Sequence, residues 1–153
     1  MQTEEISSVE QLEHLLDASD GMMTTLSNAS AFLNELLRDI NWVGFYLLEQ
    51  GELRLGPFQG KIACTRIAVG KGVCGTAIAQ NRTQLVEDVH AFPGHIACDS
   101  ASNSELVVVL RDEAGEPVGV LDIDSPILRR FSAENAKQME RAAEIISTKI
   151  RQH

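Results

Sequence analysis

Three cysteines are the residues of this sequence best suited to chemistry, because a cysteine thiolate is a strong nucleophile that can be oxidised reversibly. They are Cys64, Cys74 and Cys98. Cys98 lies in the segment GHIACDSASNSE, which is rich in small polar residues that form turns and helix caps. Such segments expose backbone N–H groups, and these stabilise a thiolate. The segment therefore favours a reactive thiol at Cys98.

Two other interpretations of the cysteines stay open at this point. Free cysteines are often small buried hydrophobic residues, and the apolar neighbours of Cys64 and Cys74 fit that description. The three cysteines and His95 could instead form a zinc site. Structural zinc sites usually draw their ligands in closely spaced pairs, and the sequence contains no C-x-x-C pair. The spacing therefore does not favour a metal site.

A second group of residues suited to binding or catalysis consists of acids and aromatic residues. In VLDIDS, Asp122 and Asp124 alternate with apolar residues, so they share one face of a strand, and Glu105 begins the neighbouring strand. In WVGFYLL, Trp42 and Tyr46 also share a face. The group is either a solvated sheet face or a polar pocket with an aromatic wall. In a pocket, the acids would bind a cation such as an amino group, and their mutual repulsion would raise at least one pKa.

The elements that position these residues follow from the hydrophobic pattern. The N-terminal third is typical of helices, and WVGFYLL begins a series of strands. A short helix of small residues is predicted over about residues 73–80, and a hairpin is centred on Gly115. A long C-terminal helix follows, with Ser132 as its N-cap and Glu134 in its first turn. The pattern predicts an α+β fold, with helices on one sheet face and loops closing the other.

Composition limits the classes of function. The 153 residues predict a single domain spanning the whole chain. The net charge of −9 argues against binding to nucleic acid or to an anionic membrane. The acidic N-terminus does not resemble a signal peptide, and the longest apolar runs are too short to span a bilayer. We therefore expect a cytoplasmic protein without a permanent structural disulfide.

Five segments together resemble one known family. INWVGFYLL, LGPFQGKIAC, GKGVCGTA, GHIACDSASNSE and GVLDIDS are similar to the corresponding motifs of the free methionine-(R)-sulfoxide reductases, which have a GAF fold. The resemblance covers about residues 41–131, and all three cysteines fall at family positions. It implies a central antiparallel sheet of about six strands. The N- and C-terminal helices would pack on one face, and a ligand cavity covered by loops would lie on the other.

The resemblance also implies roles for the cysteines. Cys98 matches the catalytic nucleophile, Cys64 matches the principal resolving cysteine, and Cys74 matches a third cysteine whose part is less settled. The expected reaction reduces free methionine-(R)-sulfoxide and passes through a sulfenic acid and a transient disulfide. Thioredoxin or a similar dithiol protein would then reduce that disulfide. The reaction needs no metal and no organic cofactor.

The remaining site residues correspond to the family's substrate pocket. Trp42 and Tyr46 match its aromatic residues, and Glu105, Asp122 and Asp124 match its acids. The sequence does not decide which of the three acids donates a proton. It is compatible with a homodimer but does not decide the oligomeric state.

Two alternatives to an enzyme belong to different classes. One is a GAF module that binds a small molecule and regulates a partner without catalysis. The other is a redox sensor that uses the same cysteines without a sulfoxide substrate. Sensor modules usually accompany effector domains in longer chains, and thiol-dependent turnover of the sulfoxide separates the enzyme from both.

Overall fold

The computed structural model describes residues 8–94 and 101–151 of the chain. Four α-helices and six strands are present in these two ranges, with three short 3-10 helices between them. The α-helices are α1 (Leu12–Leu15), α2 (Met22–Leu36), α3 (Gly72–Gln80) and α4 (Ala133–Ile150). The strands are β1 (Trp42–Glu49), β2 (Glu52–Gly60), β3 (Arg66–Ala68), β4 (Gln84–Val86), β5 (Ser104–Arg111) and β6 (Pro117–Ser125). The 3-10 helices are Val9–Gln11, Ala18–Asp20 and Val89–Ala91.

The strands form one sheet in the order β3-β2-β1-β6-β5-β4. Every neighbouring pair in this order is antiparallel. The predicted hairpin is confirmed: β5 and β6 pair along their length, and Gly115 lies in the turn between them with a φ of 84°. Strand β1 lies between β2 and β6, so its side chains occupy the centre of both sheet faces.

One sheet face packs against helices from both ends of the chain, as predicted. Val43 and Phe45 of β1 point towards α2 and α4, and with β5 and β6 they form the larger hydrophobic cluster. The charged residues of α2 and α4 are exposed or partly exposed, while the buried positions are mostly apolar, which is the amphipathic arrangement expected at a helix–sheet interface. Among the described residues, no helix is both long and apolar enough to cross a bilayer.

Helix α4 begins where the sequence predicts. The Ser132 hydroxyl accepts a hydrogen bond from the Asn135 backbone N–H at 3.1 Å, and Asn135 Oδ1 accepts one from the Ser132 N–H at 2.9 Å. This reciprocal pair is a capping box with asparagine in the third helical position. Glu134 lies in the first turn, where the helix dipole favours an acid.

The sequence predicts that loops cover the second sheet face, but a helix covers part of it. Helix α3 packs on this face, and its residues Val73, Cys74, Ala77 and Ile78 belong to a second hydrophobic cluster with Trp42. The small side chains of α3 allow its backbone to approach the sheet closely. At Gly75, an added Cβ would lie 2.4 Å from the Ala68 carbonyl oxygen. A short helix therefore covers this face together with the loops.

Gly44 of β1 provides space that the second face requires. An added Cβ at Gly44 would lie 2.2 Å from Phe58 Cβ and 2.8 Å from Trp42 Cη2. Phe58 is the partner of Gly44 in the β1–β2 register. The absent side chain therefore allows Phe58 and Trp42 to pack over strand β1.

We predict that Gly44→Ala lowers the free energy of unfolding by about 3 kcal/mol, because the added methyl group overpacks the sheet. Chemical denaturation measures this loss. Gly51→Ala is the matched control, since Gly51 has a φ of 80° and open space around it. There the cost is only conformational, about 1 kcal/mol. Equal losses for the two variants would contradict the steric explanation.

Candidate active site

The strand register brings the predicted acids and aromatics together on the second sheet face. Asp124 of β6 pairs with Trp42 of β1 on one side and with Glu105 of β5 on the other. Asp122 is one row further along the same face, opposite Gly44. The indole and the three carboxylates therefore form one surface, as the alternation of the sequence predicts.

This surface is buried, so the interpretation as a solvated acidic face is wrong. The exposed fractions are 7% for Glu105, 6% for Asp122 and 9% for Asp124. Clustered carboxylates without water around them are costly for a fold, unless some of them are protonated or meet a cation. Such a surface is what a binding site for an ammonium group or another cation requires.

Burial has a large effect on Glu105. Desolvation raises the pKa of its carboxyl well above the usual range, and the negative charges of Asp122 and Asp124 raise it further. The predicted repulsion between the acids is therefore confirmed, although burial is the larger cause. A carboxyl group with a raised pKa retains its proton to a higher pH than an exposed one, which suits a proton donor.

Cys74 lies on α3 directly above the acids. Its Sγ atom is 4.0 Å from Glu105 Oε2, and the thiol is free and buried. Desolvation raises the pKa of the Cys74 thiol well above its ordinary value, and the charges of Asp122, Glu105 and Asp124 add to this effect. The surroundings of Cys74 are thus opposite to those that activate a nucleophilic cysteine, which are electropositive and partly exposed.

The same cluster is also a candidate for metal binding on geometry alone. One donor atom from each of Cys74, Glu105 and Asp122 lies within 4.8 Å of the others. A zinc ion accepts thiolate and carboxylate ligands, but it needs the thiol deprotonated. Burial raises the pKa of both Cys74 and Glu105, which opposes the deprotonation that metal binding needs and favours a pocket that holds protons.

The two predicted aromatic residues have polar contacts as well as apolar ones. Trp42 stacks on Phe58, with ring centroids 5.2 Å apart, and on Tyr46, with centroids 6.0 Å apart. Trp42 Nε1 donates a hydrogen bond to the Lys61 carbonyl at 3.1 Å, and the Tyr46 hydroxyl donates one to the Cys64 carbonyl at 2.9 Å. Both aromatics therefore contact the loop of residues 61–65, named here the Cys64 loop, which connects β2 to β3.

Cys64 is half-buried and disulfide-bonded. A sulfur atom in a disulfide is not a thiolate ligand, so the zinc alternative lacks one of its four ligands in this state. His95, which was the histidine of that alternative, lies outside the described residues. Cys64 and Cys74 are in different chemical states, because the first is oxidised and the second is a free thiol.

Cys98, the predicted nucleophile, lies outside the described residues. The chain that follows it is firmly attached next to the acids. Ser102 is buried, and its hydroxyl accepts a hydrogen bond from Asn41 Nδ2 at 3.1 Å. The Asn103 N–H donates to the Ser125 carbonyl at 2.8 Å, beside Asp124 in strand β6. The C-terminal end of GHIACDSASNSE is thus fixed at the acidic surface.

Two contributors to the site are absent from the sequence-based prediction. Phe58 supports the indole of Trp42, and Asn41 holds Ser102. Phe58 could have been found from the register of the β1–β2 hairpin, which places it opposite Gly44, since a glycine paired with an aromatic residue is a recurrent cross-strand arrangement. The contact of Asn41 joins distant parts of the chain, and no local pattern indicates it.

Comparisons with known proteins show the family of the chain. Residues 24–151 match the GAF domain. The free methionine-R-sulfoxide reductase of Escherichia coli K12 is 59% identical over 121 residues, which are 79% of this chain and 73% of that protein. The chain belongs to the free methionine-R-sulfoxide reductase family.

Solved structures related to this family have the same fold. The fRMsr of Staphylococcus aureus, in complex with substrate, has a TM-score of 0.87 and 51% identity, covering 93% of this chain and 92% of that one. The free methionine-R-sulfoxide reductase of Neisseria meningitidis, in complex with its substrate, has a TM-score of 0.90 and 38% identity. That match covers 99% of this chain and 97% of the other.

The raised pKa of Glu105 predicts a stability effect with a definite sign. A carboxyl whose pKa is raised by folding contributes stability at low pH, and this contribution is lost as the pH rises through the folded-state pKa. Glu105→Gln removes the ionisation. We predict that the variant exceeds the wild type in unfolding free energy near neutral pH by about 1 kcal/mol or more.

Denaturation curves across a pH series test this prediction. The difference between the Glu105→Gln variant and the wild type should grow as the pH rises above about 4.5, the ordinary range for this carboxyl. Glu113→Gln, at an exposed acid in the β5–β6 turn, is the control and should give no such trend. A difference that stays constant with pH would contradict the explanation.

The environment of Cys74 predicts low reactivity. We expect iodoacetamide to modify Cys74 at least about 100-fold more slowly than an exposed thiol at neutral pH, because the thiol is both buried and protonated. Peptide mapping by mass spectrometry after native labelling measures the rate. Labelling in denaturant is the control and should modify Cys74 fully. Rapid native labelling would show that this pocket is open to solvent.

Proposed function

We propose that this chain is an enzyme that reduces free methionine-(R)-sulfoxide to methionine. The observation that carries the proposal is the burial of three carboxylates beside an indole ring, on the sheet face opposite the α2–α4 layer. The family supports it: a close relative is named as this reductase, and two similar structures are complexes with substrate.

Each part of the proposed substrate has a matching group in the site. Asp122 and Asp124 carry the negative charge that an amino-acid ammonium group needs, and Trp42 offers an apolar wall for the S-methyl group. A methionine inside a peptide has no ammonium group, so it would leave the buried acids without a cation. This mismatch explains a preference for the free amino acid, because unpaired buried polar groups strongly disfavour the wrong ligand.

We assign the proton donation to Glu105. A sulfoxide oxygen leaves the sulfur only if it is protonated, and burial raises the pKa of the Glu105 carboxyl well above the usual range, which suits a proton donor. The neighbouring aspartates keep this proton on Glu105 in the empty site. When a substrate ammonium group enters, its positive charge lowers the pKa of Glu105 and makes the proton easier to release.

The proposed reaction uses Cys98 and Cys64 in turn. The Cys98 thiolate attacks the sulfoxide sulfur and accepts its oxygen, which yields methionine and a Cys98 sulfenic acid. The Cys64 thiol then attacks that sulfur, the S–O bond breaks, and water leaves as the disulfide forms. What supports Cys64 as the resolving residue is that it is disulfide-bonded while Cys74 is free and buried.

The disulfide must be reduced for a second turnover. A dithiol protein of the thioredoxin class can supply the electrons by thiol–disulfide exchange, and this places the proposed activity in a reducing compartment such as the cytoplasm. The chemistry has the character of a defence against oxidative stress, because it returns an oxidised amino acid to its reduced form.

The test is turnover of purified protein with thioredoxin, thioredoxin reductase and NADPH. We predict oxidation of NADPH with free methionine-(R)-sulfoxide and at least about 100-fold less with the S epimer or with an N-acetylated peptide substrate. Cys98→Ser should abolish turnover. Cys64→Ser should still form one methionine per chain and then stop, whereas Cys74→Ser keeps both cysteines that the reaction uses.

Binding measurements identify the alternative if turnover fails. A wild-type protein that binds methionine or its sulfoxide without consuming NADPH would be a sensor module of the same fold. Loss of turnover in Cys74→Ser but not in Cys64→Ser would contradict the assignment of the resolving cysteine.

A further inference from the structure

The Cys64 loop has little packing of its own. Lys61, Ile62 and Thr65 are exposed, and the exposed fraction of Ile62 reaches 90%. Ala63 and Cys64 are only half-buried. A loop that buries so little apolar surface gains little stability from the hydrophobic effect. Other interactions must therefore determine the position of its backbone.

Besides the disulfide of Cys64, three hydrogen bonds to backbone carbonyls support the loop. Leu55 N–H in strand β2 donates to the Thr65 carbonyl at 3.0 Å, at one end of the loop. Trp42 Nε1 donates to the Lys61 carbonyl at 3.1 Å, at the other end. The Tyr46 hydroxyl donates to the carbonyl of Cys64 itself at 2.9 Å. The bond from Tyr46 thus acts on the residue that carries the sulfur.

Tyr46 is a rigid donor for this bond. Its side chain has an exposed fraction of 2%, and it extends from β1, between β2 and β6. The adjacent ring of Trp42 stacks against it. Burial and the nearby acids raise the pKa of the Tyr46 hydroxyl, so it remains protonated and donates its hydrogen. The position of the Cys64 carbonyl is therefore set by a fixed point on the sheet.

We propose that Tyr46 is a positioning residue for the resolving step, because its hydroxyl fixes the backbone of the residue whose sulfur must react with oxidised Cys98. This inference rests on the proposed function and assigns Tyr46 a task beyond contact with the substrate. In this role Tyr46 acts through the Cys64 carbonyl. It raises the effective concentration of one sulfur at the other, as oriented groups do in intramolecular reactions.

The step that Tyr46 assists is distinct from methionine formation. The Cys98 sulfenic acid and the Cys64 thiol become a disulfide and one water molecule, with no external oxidant or reductant. Methionine has already been released at that point. A defect in positioning should therefore slow disulfide formation relative to methionine release.

The experiment compares the reduced wild type with reduced Tyr46→Phe in a single turnover. One equivalent of free methionine-(R)-sulfoxide is added, and methionine release is followed by rapid quench. Disulfide formation is followed by mass spectrometry after alkylation, and dimedone traps the sulfenic acid. Because Tyr46 also belongs to the predicted substrate pocket, disulfide formation is compared with methionine release in the same protein. We expect the ratio of the two rates to fall roughly three- to tenfold in Tyr46→Phe, the factor that one hydrogen bond supplies.

Two matched variants control for indirect effects. Ser30→Ala removes another buried hydroxyl that donates to a backbone carbonyl, that of Ser27 at 2.8 Å, in helix α2. Ile62→Ser changes the surface of the Cys64 loop without removing a carbonyl contact. Both should close the disulfide at the wild-type rate, and thermal unfolding should establish that all variants are folded.

A hydrogen peroxide arm separates this inference from the proposed function. Peroxide oxidises a cysteine thiolate to sulfenic acid and releases water, so disulfide closure can be timed without any sulfoxide substrate. Wild-type protein that releases no methionine would overturn the proposed function, while the peroxide arm would still measure closure. Equal closure rates for Tyr46→Phe and the wild type would overturn the positioning role. Equal slowing of methionine release and closure would also overturn it.

Discussion

The exclusion of water from three clustered carboxylates is the constraint on which the rest of this structure depends. Strands β1, β5 and β6 bring Glu105, Asp122 and Asp124 to one surface, and helix α3 lies over it. A fold selected only for stability would place apolar side chains at these positions. Their presence at these positions costs stability, which indicates a role other than packing.

The site consists of two parts that differ in how firmly their backbone is held. The acids and the aromatic rings belong to the central strands, whose backbone is hydrogen-bonded on both sides. The Cys64 loop lies at the margin and is attached through carbonyl oxygens, with exposed side chains such as that of Ile62. Recognition of a ligand thus resides in the rigid part. The Cys64 sulfur, to which the proposed reaction assigns the resolving role, resides in the part with fewer contacts.

Much of this arrangement could be predicted from the sequence, because it follows from local periodicity. The alternation in WVGFYLL separates Val43 and Phe45 from Trp42 and Tyr46, and the structure has them on opposite faces. The hairpin at Gly115 and the N-cap at Ser132 depend on short-range turn and capping chemistry, and both are confirmed. Strand pairing then brings Trp42 and Tyr46 to the same sheet face as Glu105, Asp122 and Asp124.

The features that could not be predicted depend on contacts between distant segments. The helix of small residues has no strong apolar stripe, so its pattern does not reveal that it covers the second face together with Cys74. Hydrogen bonds from Trp42 and Tyr46 to loop carbonyls leave no trace in the sequence, because any residue type supplies a carbonyl. The role of Cys98 stays a prediction, since that residue lies outside the described ranges.

The aromatic cluster has one further consequence. Trp42 is the single tryptophan of the chain, and its indole touches the acid surface, the Phe58 ring and, through Nε1, the Cys64 loop. Its intrinsic fluorescence therefore arises from one location and depends on the polarity and hydrogen bonding there. The protein carries a built-in optical probe at the centre of its site, and ligand entry and loop rearrangement can both be followed in real time without a label.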